Sequence, residues 1–330
     1  MFLKMVVSRR GMEIHFKDSF IRHFSELTDF ETFREYCLRP LRRAIRVNTL
    51  KIDVERVRQR LEGDWELTPV PWCPEGFWIE HRGDETGHKR RDVGNLLEHA
   101  LGYIYIQEPA SMLPPVVLDP QPGDIVLDMC SAPGSKASQL LAKLDGDGYL
   151  VANDYKGSRL APLGLNLQRV GATNFIITLS EGRFFKDRIY DRILVDAPCS
   201  GTGTIRKSLK TLDIWNPNMV RRLAGTQKQL IKTAFECLKE GGTMVYSTCS
   251  VEPEENEAVV SELLETYDDA YLCDIDLPLT RSDTICSYKG KEYHPDIRKA
   301  LRIWPQDNDT EGFFVAKIRR SSLDGNTNNI

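Results

Sequence analysis

From Asp124 onward, short apolar runs alternate with longer amphipathic stretches, and that rhythm limits the possible folds more than any other feature of the chain. Strands are expected over Asp124–Asp128, Tyr149–Asn153, Asn174–Thr178, Arg192–Val195, Thr243–Ser247 and Gly312–Ile318. Helices are expected over Ser135–Leu144, Gly157–Val170, about Met219 to Leu238, and Glu254–Thr266. Strands alternating with helices specify an α/β domain with a mostly parallel, doubly wound sheet. Ligands of such a sheet bind outside the C-terminal ends of its strands.

The N-terminal part reads differently. Ala44 to Leu50 is expected as a strand, Asp53 caps a helix to Leu61, and Trp65–Val70 and Gly76–Glu80 follow as strands, with a further helix from about Asn95 to Leu101. This is a small α+β unit, and Arg82 to Val93 is a charged, exposed loop. Pro114-Pro115 and Pro120-Gln121-Pro122-Gly123 punctuate the passage between the two parts, giving domains over 1–112 and 113–319 and a disordered polar tail over 320–330. Met5 and Met12 are alternative starts, so the first eleven residues carry little weight. From Arg34 to Arg60 nine basic residues face only Glu35, Asp53 and Glu55, a local charge of +6. With 44 Lys and Arg against 48 Asp and Glu, a globally basic nucleic-acid binder is excluded, but a local basic patch is not.

No apolar run reaches the ~20 residues that cross a bilayer. The eight cysteines show no C-x-x-C spacing and no zinc-type His partners, so neither a metal site nor a disulfide scaffold is expected. The start of the chain has the reverse of a signal-peptide charge order, and the expected compartment is reducing cytoplasm. Nothing demands a dimer, so a monomer is expected.

Four loops at expected strand ends carry the chemistry. The first, Asp128-Met129-Cys130-Ser131-Ala132-Pro133-Gly134-Ser135-Lys136, opens a helix with small residues that let a ligand approach the backbone. It has neither Gly-x-Gly-x-x-Gly nor a P-loop order, which demotes a dehydrogenase and an NTPase. The second ends in Asp154, whose carboxylate can accept both hydroxyls of a ribose or simply cap a helix. The third, Asp196-Ala197-Pro198-Cys199-Ser200-Gly201, and the fourth, Ser247-Thr248-Cys249-Ser250-Val251-Glu252-Pro253-Glu254-Glu255, each place a cysteine beyond a strand end. One such cysteine would be read as a small buried hydrophobe. Two facing a nucleotide-type pocket point to chemistry. The acidic run after Cys249 reads as a charged first helical turn with a structural role.

Together these loops resemble the Sun (Nol/Nop/Sun) family of RNA 5-methylcytosine methyltransferases. The resemblance runs from Leu38 to Lys317, through Arg46-Val47-Asn48-Thr49-Leu50-Lys51, Gln107-Glu108-Pro109-Ala110-Ser111 and Gly312-Phe313-Phe314-Val315-Ala316. It implies a class I, Rossmann-like methyltransferase fold with S-adenosyl-L-methionine as cofactor and an N-terminal RNA-binding domain. It also implies cofactor contacts from Cys130, Ser131, Ala132, Pro133, Gly134, Ser135, Lys136, Asp154, Arg159 and Asp196, a nucleophile in Cys249, and help with product release from Cys199. Glu181 stands where relatives usually carry Asp and is expected as a further cofactor contact, its longer carboxylate reaching the adenine amino group, and Gln306 stands where many carry His. The compactness of the chain is similar to archaeal transfer-RNA members, so tRNA is the expected partner, with rRNA the alternative.

The chemistry accounts for the residue types. Carbon 5 of cytosine is a poor nucleophile until a thiolate adds to carbon 6, and cysteine is the side chain suited to that covalent step. Asp196 can pair with the exocyclic amine that distinguishes cytosine from uracil. The base must leave its stack to be reached. Arg39, Arg42, Arg43 and Arg46 are the expected holders of the RNA backbone, whereas Trp72, Phe77 and Trp78 are expected to pack. A catalytically dead RNA-binding subunit, a DNA cytosine methyltransferase and a thiol hydrolase are the rivals. The cysteine pair argues against the first two, and the absence of a nearby His in the motifs argues against the third.

Overall fold

The computed structural model describes residues 6–9, 12–84 and 86–322. The expected tail therefore lies, from 323 on, outside the described residues, as do the first five. The N-terminal sheet is antiparallel, built from β1 (Ala44–Val47), β2 (Trp65–Val70), β3 (Cys73–His81) and β4 (Ile104–Ile106) in the order β2-β3-β1-β4. Helix Val54–Leu61, capped by Asp53 accepting from the Arg56 N–H at 2.9 Å, buries Val57 and Leu61 against Ile45, Val47, Trp65 and Phe77. Trp72, Phe77 and Trp78 are all buried, so they pack as expected. The helix expected from Asn95 is cut to Leu97–Ala100, because Leu96 is extended and separates it from a single 3-10 turn.

The large sheet follows the expected rhythm. Its strands are β5 (Ile125–Asp128), β6 (Tyr149–Asp154), β7 (Phe175–Leu179), β8 (Tyr190–Asp196), β9 (Leu238–Thr248), β10 (Ala270–Cys273), β11 (Leu301–Ile303) and β12 (Phe313–Arg320). The order is β10-β12-β9-β8-β5-β6-β7, with β11 also on β12. Pairs among β5 to β9 are parallel, and β10, β11 and β12 add antiparallel neighbours. Helices cover both faces, so central strands such as Val126-Leu127 and Ile193-Leu194-Val195 are fully buried. Among the described residues no helix is long and apolar enough to cross a membrane.

Two local readings change. Pro114 and Pro115 do not break the chain; they lie inside helix Pro109–Leu118, across the expected 112/113 boundary. A proline cannot bond the carbonyl four residues back. Here the Ser111 carbonyl that Pro115 leaves free accepts instead from the Gln107 side-chain amide at 3.1 Å. The other change concerns Arg46, expected on RNA but buried to 1% exposure. Its guanidinium donates to Gln107 Oε1 at 2.9 Å, to the Ser135 carbonyl at 3.2 Å and to Ser138 Oγ at 2.9 Å. It ties the N-terminal sheet to the helix that opens the first loop. Burial lowers its pKa to about 10, which still leaves it charged. Asn48 and Lys51 make similar ties, to the carbonyls of Gly102 and Val170 and of Leu101 and Arg169.

Candidate active site

The ends of β5, β6, β8 and β9 bring the four loops to one side of the sheet. At the end of β5 the chain turns through Cys130–Gly134, and Gly134 takes φ 102° with Leu163 3.1 Å from where a Cβ would stand. A side chain is therefore strained there, and the turn stays open above helix Ser135–Leu144. Asn153 clips three strand ends together. Its amide donates to the carbonyls of Met129 (3.0 Å) and Ser180 (2.9 Å), and its oxygen accepts from Thr178 Oγ1 and Ser180 N–H. The Ser131 N–H donates to its carbonyl at 2.7 Å. Sequence reasoning gave Asn153 no role.

This turn holds polar atoms that the protein leaves unpaired. Both carboxylate oxygens of Asp128 and the Ser131 hydroxyl are buried without a hydrogen bond of good geometry, although Ser131 and the Cys130 N–H lie close enough to Asp128 to favour its charge somewhat. Burial, and then the nearby Asp196 carboxylate, push the Asp128 pKa up to about 7. Asp154 is 1% exposed; its Oδ1 accepts from the Lys156 N–H at 3.0 Å, and its Oδ2 lacks a hydrogen bond, with Arg159 Nη1 in ion-pair contact at 3.1 Å. Arg159 also donates to the Ala132 carbonyl. Cys130 borders the same turn, its thiol pushed up by burial. Glu181 is exposed and paired with Arg183 at 2.7 Å, so it stands at the rim. Lys136 turns from the loop to Asp196, with Nζ 2.8 Å from Oδ2. Burial works against its charge, but Asp196, with Cys249 and Asp128 behind it, outweighs burial, and the lysine pKa is raised.

The two cysteines meet. Cys199 Sγ and Cys249 Sγ lie 3.1 Å apart as free thiols at the ends of neighbouring parallel strands. The hydrogen bond with Cys249, reinforced by burial, drives the Cys199 pKa well up, so Cys199 is held as the protonated thiol. Asp196 closes the group, accepting from Ser247 Oγ at 2.9 Å on its other oxygen.

The acidic run after Cys249 is not a solvated helical turn. The helix begins only at Glu257, and Glu252, Glu255 and Glu257 are buried to 0% exposure. Glu255 accepts from the Ser200 N–H (2.9 Å), the Ser200 hydroxyl, the Ser250 hydroxyl (2.6 Å) and Gln227 (2.9 Å), and so binds the two cysteine loops into one frame. Glu252 accepts from Trp215 Nε1 at 2.7 Å and pairs with His23 at 2.5 Å, and Glu257 pairs with buried Arg302 at 2.6 Å. Gly203 donates to the Cys249 carbonyl at 3.0 Å; a Cβ there would lie 2.2 Å from the Gly312 carbonyl oxygen, so only glycine fits.

A cleft of about 630 Å³ opens between the N-terminal sheet and the segments carrying Arg206, Lys207 and Glu311. Arg42 and Arg43 line it, as do Lys89, Arg90, Arg91 and Lys207, which sequence reasoning passed over. Arg42 lies over the Trp78 ring at 4.3 Å. Arg39 does not line the cleft; it is stacked on Tyr36 at 4.2 Å and paired with Glu35. The +6 stretch is thus largely spent on ion pairs and buried ties, and the cleft's charge comes from segments far apart in sequence.

Known proteins sort with this geometry. The family described as 16S rRNA methyltransferase RsmB/F matches residues 115–319, and the N-terminal domain of 16S rRNA methyltransferase RsmF matches residues 15–109. The tRNA (cytosine(49)-C(5))-methyltransferase of Pyrococcus abyssi is 44% identical over 305 residues, 91% of this chain and 95% of that protein. The ribosomal RNA small subunit methyltransferase F of Shewanella frigidimarina is 43% identical over 299 residues, covering 88% of this chain, which spans only 59% of that relative's length. Among solved structures, a methyltransferase homolog from Pyrococcus horikoshii superposes with TM-score 0.78 at 34% identity, covering 92% of this chain and 99% of its own. NSun6 from the same organism, solved with SFG, shares the fold with TM-score 0.78 at 23% identity, covering 92% and 98%.

Proposed function

The chain belongs to the RsmB/F family of RNA methyltransferases, and on that footing we propose that it methylates carbon 5 of a cytosine through a transient bond between Cys249 and the base. S-adenosyl-L-methionine is the cofactor, and when bound it supplies an electrophilic methyl group. The residues around the first loop fit it: Asp128, Ser131 and Asp154 hold buried oxygens that lack a hydrogen bond, and the cofactor carries ribose hydroxyls, an amino group and positive charge to meet them. Asp154 would take the ribose, and Arg159, paired with it and bonded to the Ala132 carbonyl, would border the same pocket.

The observation that carries the reading is the pair of thiols 3.1 Å apart beside Asp196. Addition of the Cys249 thiolate to carbon 6 turns the ring into an enamine, and carbon 5 becomes the nucleophile. Asp196, charged and held by Lys136, accepts from the exocyclic amine, while the Lys136 ammonium beside it offsets the negative charge that addition puts on the ring. After methyl transfer the hydrogen on carbon 5 must leave before the carbon–sulfur bond breaks. The hydrogen bond between the two thiols supports a part for Cys199 in that step: it hands its own proton to the departing Cys249 sulfur and takes up the carbon-5 proton in its place. Arg42 and Arg43 hold the RNA backbone in the cleft while the target base is flipped towards the sulfurs.

Transfer RNA is the favoured substrate, supported by the near-complete overlap with the Pyrococcus abyssi enzyme. The second reading is ribosomal RNA, favoured by the rRNA methyltransferase families that match both parts of the chain. Bisulfite mapping of both RNAs from a deletion strain separates them. For the mechanism, Cys249→Ala should cut turnover by at least about a thousandfold, as removal of a nucleophile does, with cofactor affinity unchanged by calorimetry. Cys199→Ala should accumulate an RNA–protein adduct that survives a denaturing gel. Turnover retained in the first variant, or normal turnover without an adduct in the second, overturns the assigned roles.

A further inference from the structure

The cysteine frame and the basic cleft meet at the turn Asp309–Gly312, which is fixed from several sides. Arg206 donates to Asp309 Oδ1 at 2.7 Å and to the Thr310 carbonyl at 3.0 Å. Glu108 accepts from the Glu311 N–H at 3.0 Å, and the Gly312 N–H donates to the Gly203 carbonyl at 2.9 Å. Gly203 in turn bonds the Cys249 carbonyl, so two backbone hydrogen bonds separate this turn from the nucleophile. The Glu311 side chain lines the cleft at 3% exposure, and its Oε1 is buried with no hydrogen bond. Lys207 Nζ is in loose ion-pair contact with it at 3.8 Å, too far for a hydrogen bond, and is itself largely exposed on the rim. A buried acceptor without a partner is costly, and a protein retains one where a ligand supplies the donor.

Which donor follows from chemistry. Burial raises the Glu311 pKa, and Lys207, Lys136 and Arg206 work against that rise; in its ionised form the side chain repels phosphate, so the RNA backbone is disfavoured at this point. The exposed Lys207 ammonium can hold the phosphate next to the target nucleotide, which brings the neighbouring base over Glu311. Adenine, cytosine and guanine each offer an exocyclic amine, and uracil offers none. We propose that Glu311 reads the nucleotide flanking the target cytosine by accepting a hydrogen bond from that base's exocyclic amine, and so disfavours uridine there. Glu108, whose two oxygens are spent on the N–H groups of Glu311 and Ser111, is a positioning residue for it.

The inference rests on the reading of the chain as an RNA cytosine methyltransferase. The RNA whose cytosine loses its methyl group in a deletion strain is transcribed with both flanking nucleotides randomised. It is then methylated by the unaltered protein and by Glu311→Gln, and the products are counted by bisulfite sequencing. The unaltered protein is expected to disfavour uridine at one flank by about 5- to 150-fold, the range of one good base contact. In Glu311→Gln, whose amide can also donate to a uracil carbonyl, that ratio should collapse towards one. Identical flank preferences in the two proteins overturn the proposal. So does a loss that is equal for all four bases, which marks a contact to ribose or a structural role. If no cytosine loses its methyl group in the deletion strain, the underlying reading fails first, and the inference with it.

Discussion

The two halves of the site are built on opposite plans. Around the first loop, Asp128, Ser131 and Asp154 keep buried polar atoms unpaired, while around the thiols Ser200, Thr202, Ser250 and Glu255 satisfy one another. An unsatisfied buried acceptor costs stability and is worth keeping only where a ligand completes it. A saturated network costs nothing further and fixes geometry to tenths of an ångström, which is what a nucleophile needs. Vacant bonding capacity therefore marks where the donor goes, and saturated capacity marks where the bond is made.

The sharpest way to break the contrast is Glu255→Ala. It removes the acceptor shared by Ser200, Ser250 and Gln227 and should cost roughly 3 kcal/mol or more of stability, since each stranded buried donor costs about 1–3 kcal/mol. Calorimetric unfolding would show a clear fall in melting temperature. On the other side Asp154→Asn keeps the Lys156 N–H bond and gives up only the Arg159 ion pair, worth about 1 kcal/mol at a half-exposed arginine, so the melting temperature should fall only slightly. Its effect belongs to ligand binding: cofactor affinity, read by titration calorimetry, should fall by about 10- to 100-fold for loss of a charge-assisted hydrogen bond. The smallest effect is one of pH. With the folded pKa of Asp128 up at about 7, the folded chain keeps a proton that the unfolded chain has lost, so this group makes stability fall as pH rises from about 4 to 7. The positively charged cofactor favours the ionised form, so its affinity should rise over the upper part of the same window, by at most about tenfold per pH unit. Asp128→Asn should flatten both profiles.

The parts of this design visible in the sequence were those with short-range signatures. The strand–helix rhythm located the large sheet, and the loops after its strands located Cys199, Cys249, Asp196 and Asp154 together. What escaped depended on partners far along the chain. Arg46 looks like any exposed arginine until Gln107 and Ser138 arrive from 61 and 92 residues away. Glu252, Glu255 and Glu257 look like a solvated helix start, because nothing local shows Trp215, Gln227 and Arg302 folding over them. Asp128 stood in plain view at a strand end, but only its burial and lack of bonds reveal it as a ligand group. Pro114 and Pro115 misled because helix breaking is a local rule, and Gln107 repairs it from outside the helix.

The buried guanidinium of Arg46 has a mechanical consequence. Two of its three bonds cross from one sheet to a helix packed on the other, and the ties made by Asn48 and Lys51 flank them, so the N-terminal sheet is pinned to the large domain at several points. Such ties resist closure of the protein on its nucleic acid. The strand must do the yielding, and transcripts whose loops are already loosely stacked enter at the least cost.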